Sequence, residues 1–168
     1  TSLPEDELLQ LVIKRYEEHD GVTEALHELE PGARLLVSDA FGTIRYRGPG
    51  TFIAAGAGIT PFLPILRHLA KRGELAGHSL LFSNKTTADV ICERELRAHL
   101  GERCHLTCTR RGDALHEERH IDRKYLAERL DDLEQQFYLC GPPAFVKDVR
   151  AALAELGADS SGLVFEGS

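Results

Sequence analysis

The apolar positions of the chain follow two rhythms, and the change falls at Gly48-Pro49-Gly50. Beyond it, short apolar runs alternate with amphipathic stretches. Residues 51–55, 79–83, 104–109, 136–140 and 162–166 predict strands, with helices over 61–72, 92–100, 122–133 and 143–156. Gly73, Gly101 and Gly157 stand just past three of those helices, where a residue that tolerates left-handed backbone ends a helix. Because a strand followed by a helix must cross over to a parallel neighbour, the alternation predicts an α/β fold with a five-stranded parallel, Rossmann-like sheet covered on both faces. A doubly wound sheet of this kind has strand order 3-2-1-4-5.

Before Gly48 the pattern is poorer. Leu8 to Tyr16, Arg34 to Ser38 and Thr43 to Arg47 read as strands, Phe41-Gly42 as a turn, and Glu24 to Leu29 as a short helix that Pro31-Gly32 stops. About 47 residues of this kind bury too little surface to offset their backbone entropy. The segment therefore reads as the C-terminal part of an antiparallel β-barrel whose earlier strands lie outside the chain. The expected division is residues 1–50 and 51–168.

The most informative stretch is Thr51 to Pro61. A buried strand, Thr51 to Ala55, runs into Gly56-Ala57-Gly58 and then into Thr60, a residue suited to capping a helix that starts at Pro61. The glycines permit close approach of a ligand to the backbone, and a helix N-terminus presents free N–H groups to phosphate. Pro61 occupies the third glycine position of G-x-G-x-x-G, so the turn alone fits a phosphate cradle or a tight structural bend equally well. A second turn, Cys140-Gly141-Pro142-Pro143, follows the fourth predicted strand. In the 3-2-1-4-5 order the two turns meet where the winding reverses, and the crevice between them suits an anionic dinucleotide.

An ordinary Rossmann site would carry Asp or Glu about 20 residues past the glycines to hold ribose hydroxyls. Here Ser83-Asn84-Lys85 stands instead, which admits an adenosine with an extra phosphate. Lys85, with Thr109, Arg110 and Arg111 at the end of the third strand, supplies cations for a 2′-phosphate, although arginines at a strand end are as readily solvated. NADP and NAD both remain open.

Bulk properties narrow the class. A net charge of −7 over 168 residues, with no basic run interleaved with aromatics, argues against nucleic acid. No apolar stretch approaches the roughly 18 residues that would span a bilayer, and residues 1–20 lack a signal core. Cys92, Cys104, Cys108 and Cys140 follow no disulfide or metal spacing, so thiols in a reducing cytoplasm are expected. Cys104 and Cys108 fall on one face of a strand and read as buried packing residues.

Taken together, Gly21-Val22-Thr23, Phe41-Gly42, Gly56 to Pro61, Cys140 to Pro143 and Phe165-Glu166 resemble the ferredoxin–NADP reductase family across nearly the whole chain. The resemblance implies an FAD-binding barrel followed by an NAD(P)-binding domain. Hydride would pass from NAD(P)H to FAD, and electrons onward to ferredoxin, flavodoxin, a haem protein or an oxygenase component. It places Gly21, Val22 and Thr23 at the flavin diphosphate and Lys14 along the flavin. Gly56, Gly58, Thr60 and Pro61 would form the nucleotide loop, continued by Cys140, Gly141 and Pro142 beside the nicotinamide. Cys140, Thr60 and Glu166 are the positions it sets nearest the chemistry.

The family's Arg-x-Tyr-Ser/Thr flavin segment would end at Thr1-Ser2, without its Arg and aromatic residue, and Ser168 stands where many members carry a terminal aromatic. The expectation is a fragment that holds FAD loosely, the alternative a catalytically silent nucleotide-binding domain. A remote rival is a zinc hydrolase, because His116-Glu117-Glu118-Arg119-His120 matches H-E-x-x-H. Asp122 looks like the cap of the following helix, however, which leaves the histidine pair in a loop without a third ligand, and no metal is expected.

Overall fold

Residues Gly50–Ala55 (β1) are buried along almost their whole length, and the sheet is built outward from them in both directions. The computed structural model describes residues 2–15, 21–39 and 42–165. The other strands are Ser79–Thr86 (β2), Cys104–Arg111 (β3), Glu117–Glu118 (β4), Gln136–Cys140 (β5) and Leu163–Phe165 (β6). All pairings are parallel and the order is β4-β3-β2-β1-β5-β6. The five expected strands thus take the expected 3-2-1-4-5 arrangement. The sixth, β4, adds two residues beside β3 through Thr107 and Cys108. Two glutamates carry no apolar rhythm, so nothing in the sequence marked them as strand.

Alternation along the strands divides the core. Phe52, Ala54, Leu80, Phe82 and Tyr138 point to one face, where Phe62–Arg72 (α2) and Glu93–Leu100 (α3) cover them with Phe62, Leu63, Leu66 and Leu96. Ile53, Leu81, Phe137 and Leu139 point to the other, beneath Arg123–Arg129 (α4) and Pro143–Leu156 (α5). Both faces are apolar because both are covered, which is why the strands read as continuous apolar runs. Among the described residues no helix is long and apolar enough to cross a membrane.

Helix ends follow local chemistry. Asp122 accepts the Tyr125 amide at 2.7 Å and caps α4 as expected. The helix stops at Arg129 rather than 133, because Leu130 turns extended and Asp132 folds back on the Glu134 amide at 2.8 Å. Gly73 and Gly157 end α2 and α5 in the left-handed conformation.

The first region departs from expectation. Residues 8–15, 34–38 and 43–47 are in no strand, and the short helix is Val22–His27 (α1), beginning directly after Gly21. A strand needs a neighbouring strand for its N–H and C=O groups, and among the described residues these segments pair with none. Leu36 is fully exposed, and Leu8, Leu9 and Val37 are largely so.

Side chains tie the region to the sheet. Tyr138 Oη donates to the Gly48 carbonyl at 2.7 Å and accepts the Arg47 amide at 2.9 Å. His78 Nδ1 faces the Ala76 carbonyl at 3.2 Å and must donate there, so its Nε2 accepts Tyr46 Oη at 2.9 Å. Lys14 Nζ reaches Asp89 at 3.4 Å, and the same carboxylate accepts the Thr86 hydroxyl at 2.7 Å.

Two outcomes follow from these ties. Tyr138→Phe keeps the ring packing but orphans Arg47 N–H and Gly48 C=O, so urea unfolding should show a loss of about 1–3 kcal/mol; an unchanged midpoint would mean that the hydroxyl does not hold the linker. The Thr86 hydroxyl, and after it Lys14, hold the Asp89 carboxyl below its usual range. A depressed folded value gives stability that is present above the unfolded value of about 3.9 and is lost as pH falls through the folded one. In thermal melts over that acid range the wild type should lose more stability than Asp89→Asn, and coincident acid limbs would contradict the assignment.

Candidate nucleotide-binding site

Two turns meet at the carboxyl end of the sheet. β1 passes into a 3-10 turn, Gly56–Ile59, and then α2; its neighbour β5 ends at Cys140 and passes through Gly141-Pro142 into α5. Ala54 and Cys140 are register partners, so the turns leave the sheet side by side. Their contact is closer than side chains allow. A Cβ at Gly58 would fall on the Cys140 carbonyl, and one at Gly141 would lie 2.9 Å from Phe145 Cδ1 and 3.1 Å from Ala55 Cβ.

This revises the role expected for Gly58. It is buried against the end of β5, and its missing side chain serves turn-to-turn packing rather than ligand approach. Gly56 is the open position. Its φ of 53° is left-handed, and a Cβ there would meet only Lys14 Nζ, at 3.9 Å. Thr60 is also reassigned. Its hydroxyl donates to the Ala57 carbonyl at 2.9 Å, which closes the 3-10 turn, and Pro61 rather than Thr60 precedes the first turn of α2.

Above the turns lies an open cleft of about 1690 Å³. Of the expected site residues it is lined by Lys14, Gly56, Gly58, Thr60, Pro61, Ser83, Asn84, Lys85, Thr109, Cys140, Gly141 and Pro142. Residues from every expected strand end except the last therefore converge there. Cys140 is 7% exposed at the tip of β5, Ser83 and Asn84 are buried at the end of β2, and Lys85 is exposed beside them.

Other expected residues stand apart. Arg110 is exposed at the end of β3, outside the lining. Ser2 accepts the Gln10 amide at 3.0 Å away from the cleft. Gly21, Val22 and Thr23 open α1 outside it, and Glu24 of that helix pairs with Arg15 of the wall at 3.5 Å. Thr1 and Glu166 lie outside the described residues.

The sequence reading missed one wall, formed by His120 to Arg123 and by Phe145, Asp148 and Glu155 of α5. A signal for part of it existed. Asp122 caps α4, and in a parallel βα unit the helix start lies at the carboxyl end of the sheet, where the site is. The H-E-x-x-H segment does not form the helix that the motif requires. Glu117 and Glu118 are strand, so the histidines are not one helical turn apart. His116 is buried between Asp113, at 2.7 Å from Nδ1, and Glu93, at 3.1 Å from Nε2. Among the described residues no group of three or more His, Cys, Asp or Glu could hold a metal ion. Cys104 and Cys108 are buried as expected, and burial pushes the Cys104 thiol up to about 11.

Residues 52–151 match the family model described as oxidoreductase NAD-binding domain. The chain is 32% identical over 164 residues to ferredoxin–NADP reductase B of Sorangium cellulosum, covering 88% of this chain and 66% of that protein. It is 30% identical over 158 residues to the glycine betaine monooxygenase reductase subunit of Chromohalobacter salexigens, covering 84% of this chain and 43% of that one. The flavohem-like FAD/NAD binding domain of nitric oxide dioxygenase from Vibrio cholerae superposes with a TM-score of 0.64 at 27% identity, over 77% of this chain and 54% of that structure. The chain spans less than two thirds of the length of each. Sheet order, nested turns and these similarities agree: the chain belongs to the oxidoreductase NAD-binding domain family, as part of the wider ferredoxin–NADP reductase family.

Proposed function

We propose that the cleft binds NAD(P)H and that the chain is the nucleotide-binding part of a flavoprotein reductase. The nested glycine turns at the winding reversal carry this reading. They leave Gly56 bare beneath the cleft and aim the start of α2 at the same space, which suits a diphosphate. Lys14 adds a cation over Gly56. Cys140, small and at the tip of β5, leaves room for the nicotinamide ring, while Ser83, Asn84, Lys85 and Thr109 face the adenosine half. Of the cations expected for a 2′-phosphate, Lys85 lines the cleft and Arg110 does not, so the residues present admit NADPH and NADH alike.

The relatives' names include ferredoxin–NADP reductase and a monooxygenase reductase subunit. By analogy the acceptor is a ferredoxin, flavodoxin, haem or oxygenase component, and the thiols, none in a disulfide among the described residues, suit a reducing cytoplasm. Residues 1–50 would form part of an FAD-binding barrel, and their exposed leucines and unpaired segments fit strands that need further strands beside them. FAD, when bound, supplies the ring that accepts hydride. The chain's own residues bind the nucleotide, orient its reactive ring and exclude water, and need contribute no acid or base.

A second reading, a nucleotide-binding domain silent in this form, is favoured by one observation: Gly21, Val22 and Thr23 stand outside the cleft. An absorption spectrum separates the two. Protein that is yellow and bleaches on addition of NADPH or NADH is a reductase; colourless protein that binds nucleotide is the silent domain.

The site itself is tested by Gly56→Ala. The left-handed backbone costs the variant about 1–2 kcal/mol of stability, which leaves the sheet folded, while the methyl group enters the diphosphate path. Losing one charge-assisted contact there should weaken NADPH or NADH binding about tenfold or more in calorimetric titration. Unchanged affinity in a folded variant would move the site elsewhere.

A further inference from the structure

Lys14 and Asp89 both line the cleft and form an ion pair within it, Nζ to Oδ1 at 3.4 Å. The two partners are held very differently. Asp89 is fixed, because its Oδ2 accepts the Thr86 amide at 3.0 Å and the Thr86 hydroxyl at 2.7 Å in a capping box that closes the 3-10 turn Thr87–Asp89 after β2. Lys14 is free to swing. It carries its charge on a flexible four-carbon stem, and residues 11–15 are in no strand. Its ammonium is also the group that a Cβ at Gly56 would meet, at 3.9 Å.

One ammonium thus stands between two anions, a carboxylate that belongs to the chain and a diphosphate that would lie over Gly56. A Lys–Asp pair at 3.4 Å, with each side chain about a quarter exposed, is weak and readily exchanged. The ammonium reaches the diphosphate by turning about its own stem, while Asp89, anchored by Thr86, stays where it is. Binding therefore breaks the pair, and whatever the pair was worth is subtracted from the affinity of the nucleotide.

We propose that Asp89 is an internal competitor of the nucleotide: it holds the Lys14 ammonium when no nucleotide is bound and yields it to the diphosphate. The inference rests on the cleft being a dinucleotide site. It makes a weak ion pair a brake on affinity that hastens release of the nucleotide. It also moves one tether of the Leu11 to Arg15 wall from the sheet to the ligand.

Calorimetric titrations with NADPH and NADH at physiological ionic strength test it. Asp89→Asn keeps an oxygen for the Thr86 amide and hydroxyl but gives up the charge, and should bind nucleotide about 3- to 5-fold more tightly than the wild type. Lys14→Met should bind more weakly. In that background Asp89→Asn should gain less than about 2-fold, because repulsion beyond contact distance is largely screened at this ionic strength. Asp89→Ser, which also offers an oxygen to Thr86, is the second variant if Asp89→Asn does not fold. Weaker binding by Asp89→Asn would make the carboxylate a support for Lys14, and an equal gain in both backgrounds would reduce it to simple repulsion. Either result, or unchanged binding in Asp89→Asn or Lys14→Met, overturns the inference and leaves the dinucleotide site standing. A wild type that binds neither nucleotide overturns the dinucleotide reading, and this inference with it.

Discussion

Everything at the functional end of this molecule depends on how near two stretches of backbone come to each other. β1 and β5 are parallel neighbours whose helices leave in opposite directions, α2 to one face and α5 to the other. That divergence opens a crevice above the strand tips, and the floor of the crevice is the contact of Gly58 with Cys140 and Gly141. No residue with a Cβ fits at Gly58 without pushing the turns apart. The depth of the cleft and the aim of both helix starts are consequences of that contact.

The first region is held quite differently. Its described contacts with the sheet are mostly made by individual side chains: Tyr46 on His78, backbone groups on Tyr138, Lys14 on Asp89. The Lys14–Asp89 pair, at 3.4 Å and about a quarter exposed on either side, is worth little by itself. The aromatic stack of Tyr46, His78, Phe52 and Tyr138 is the firmer anchor, since Phe52 and Tyr138 are fully buried core residues. One wall of the cleft, Leu11 to Arg15, is thus carried by a segment tied on by a few bonds, while the floor is fixed by the core.

Legibility in the sequence followed the same division. Where apolar positions repeat and glycines punctuate, as from Thr51 to Phe165, strands, helices and their order were readable, and so was the convergence of Gly56, Ser83 and Cys140 from distant positions. Three kinds of feature were not. β4 has no apolar rhythm and forms only because β3 offers an edge. The segments around Leu11, Leu36 and Ile44 have strand composition, but a strand is a property of pairs and these segments pair with no strand among the described residues. The division of labour between Gly56 and Gly58 depends on which α-hydrogen faces the cleft and which faces β5, a matter of turn geometry that spacing cannot specify. Thr60 misled for a related reason: a threonine before a proline suits a helix cap, yet its hydroxyl closed the preceding turn instead.

The central claim is that one ligand is held between the two nested turns. Backbone amide chemical shifts followed by NMR during titration with NADPH or NADH test it most directly. The account predicts that the amides of Gly56, Gly58 and Gly141 move together along one saturation curve. Saturable binding that leaves all three unmoved would contradict it.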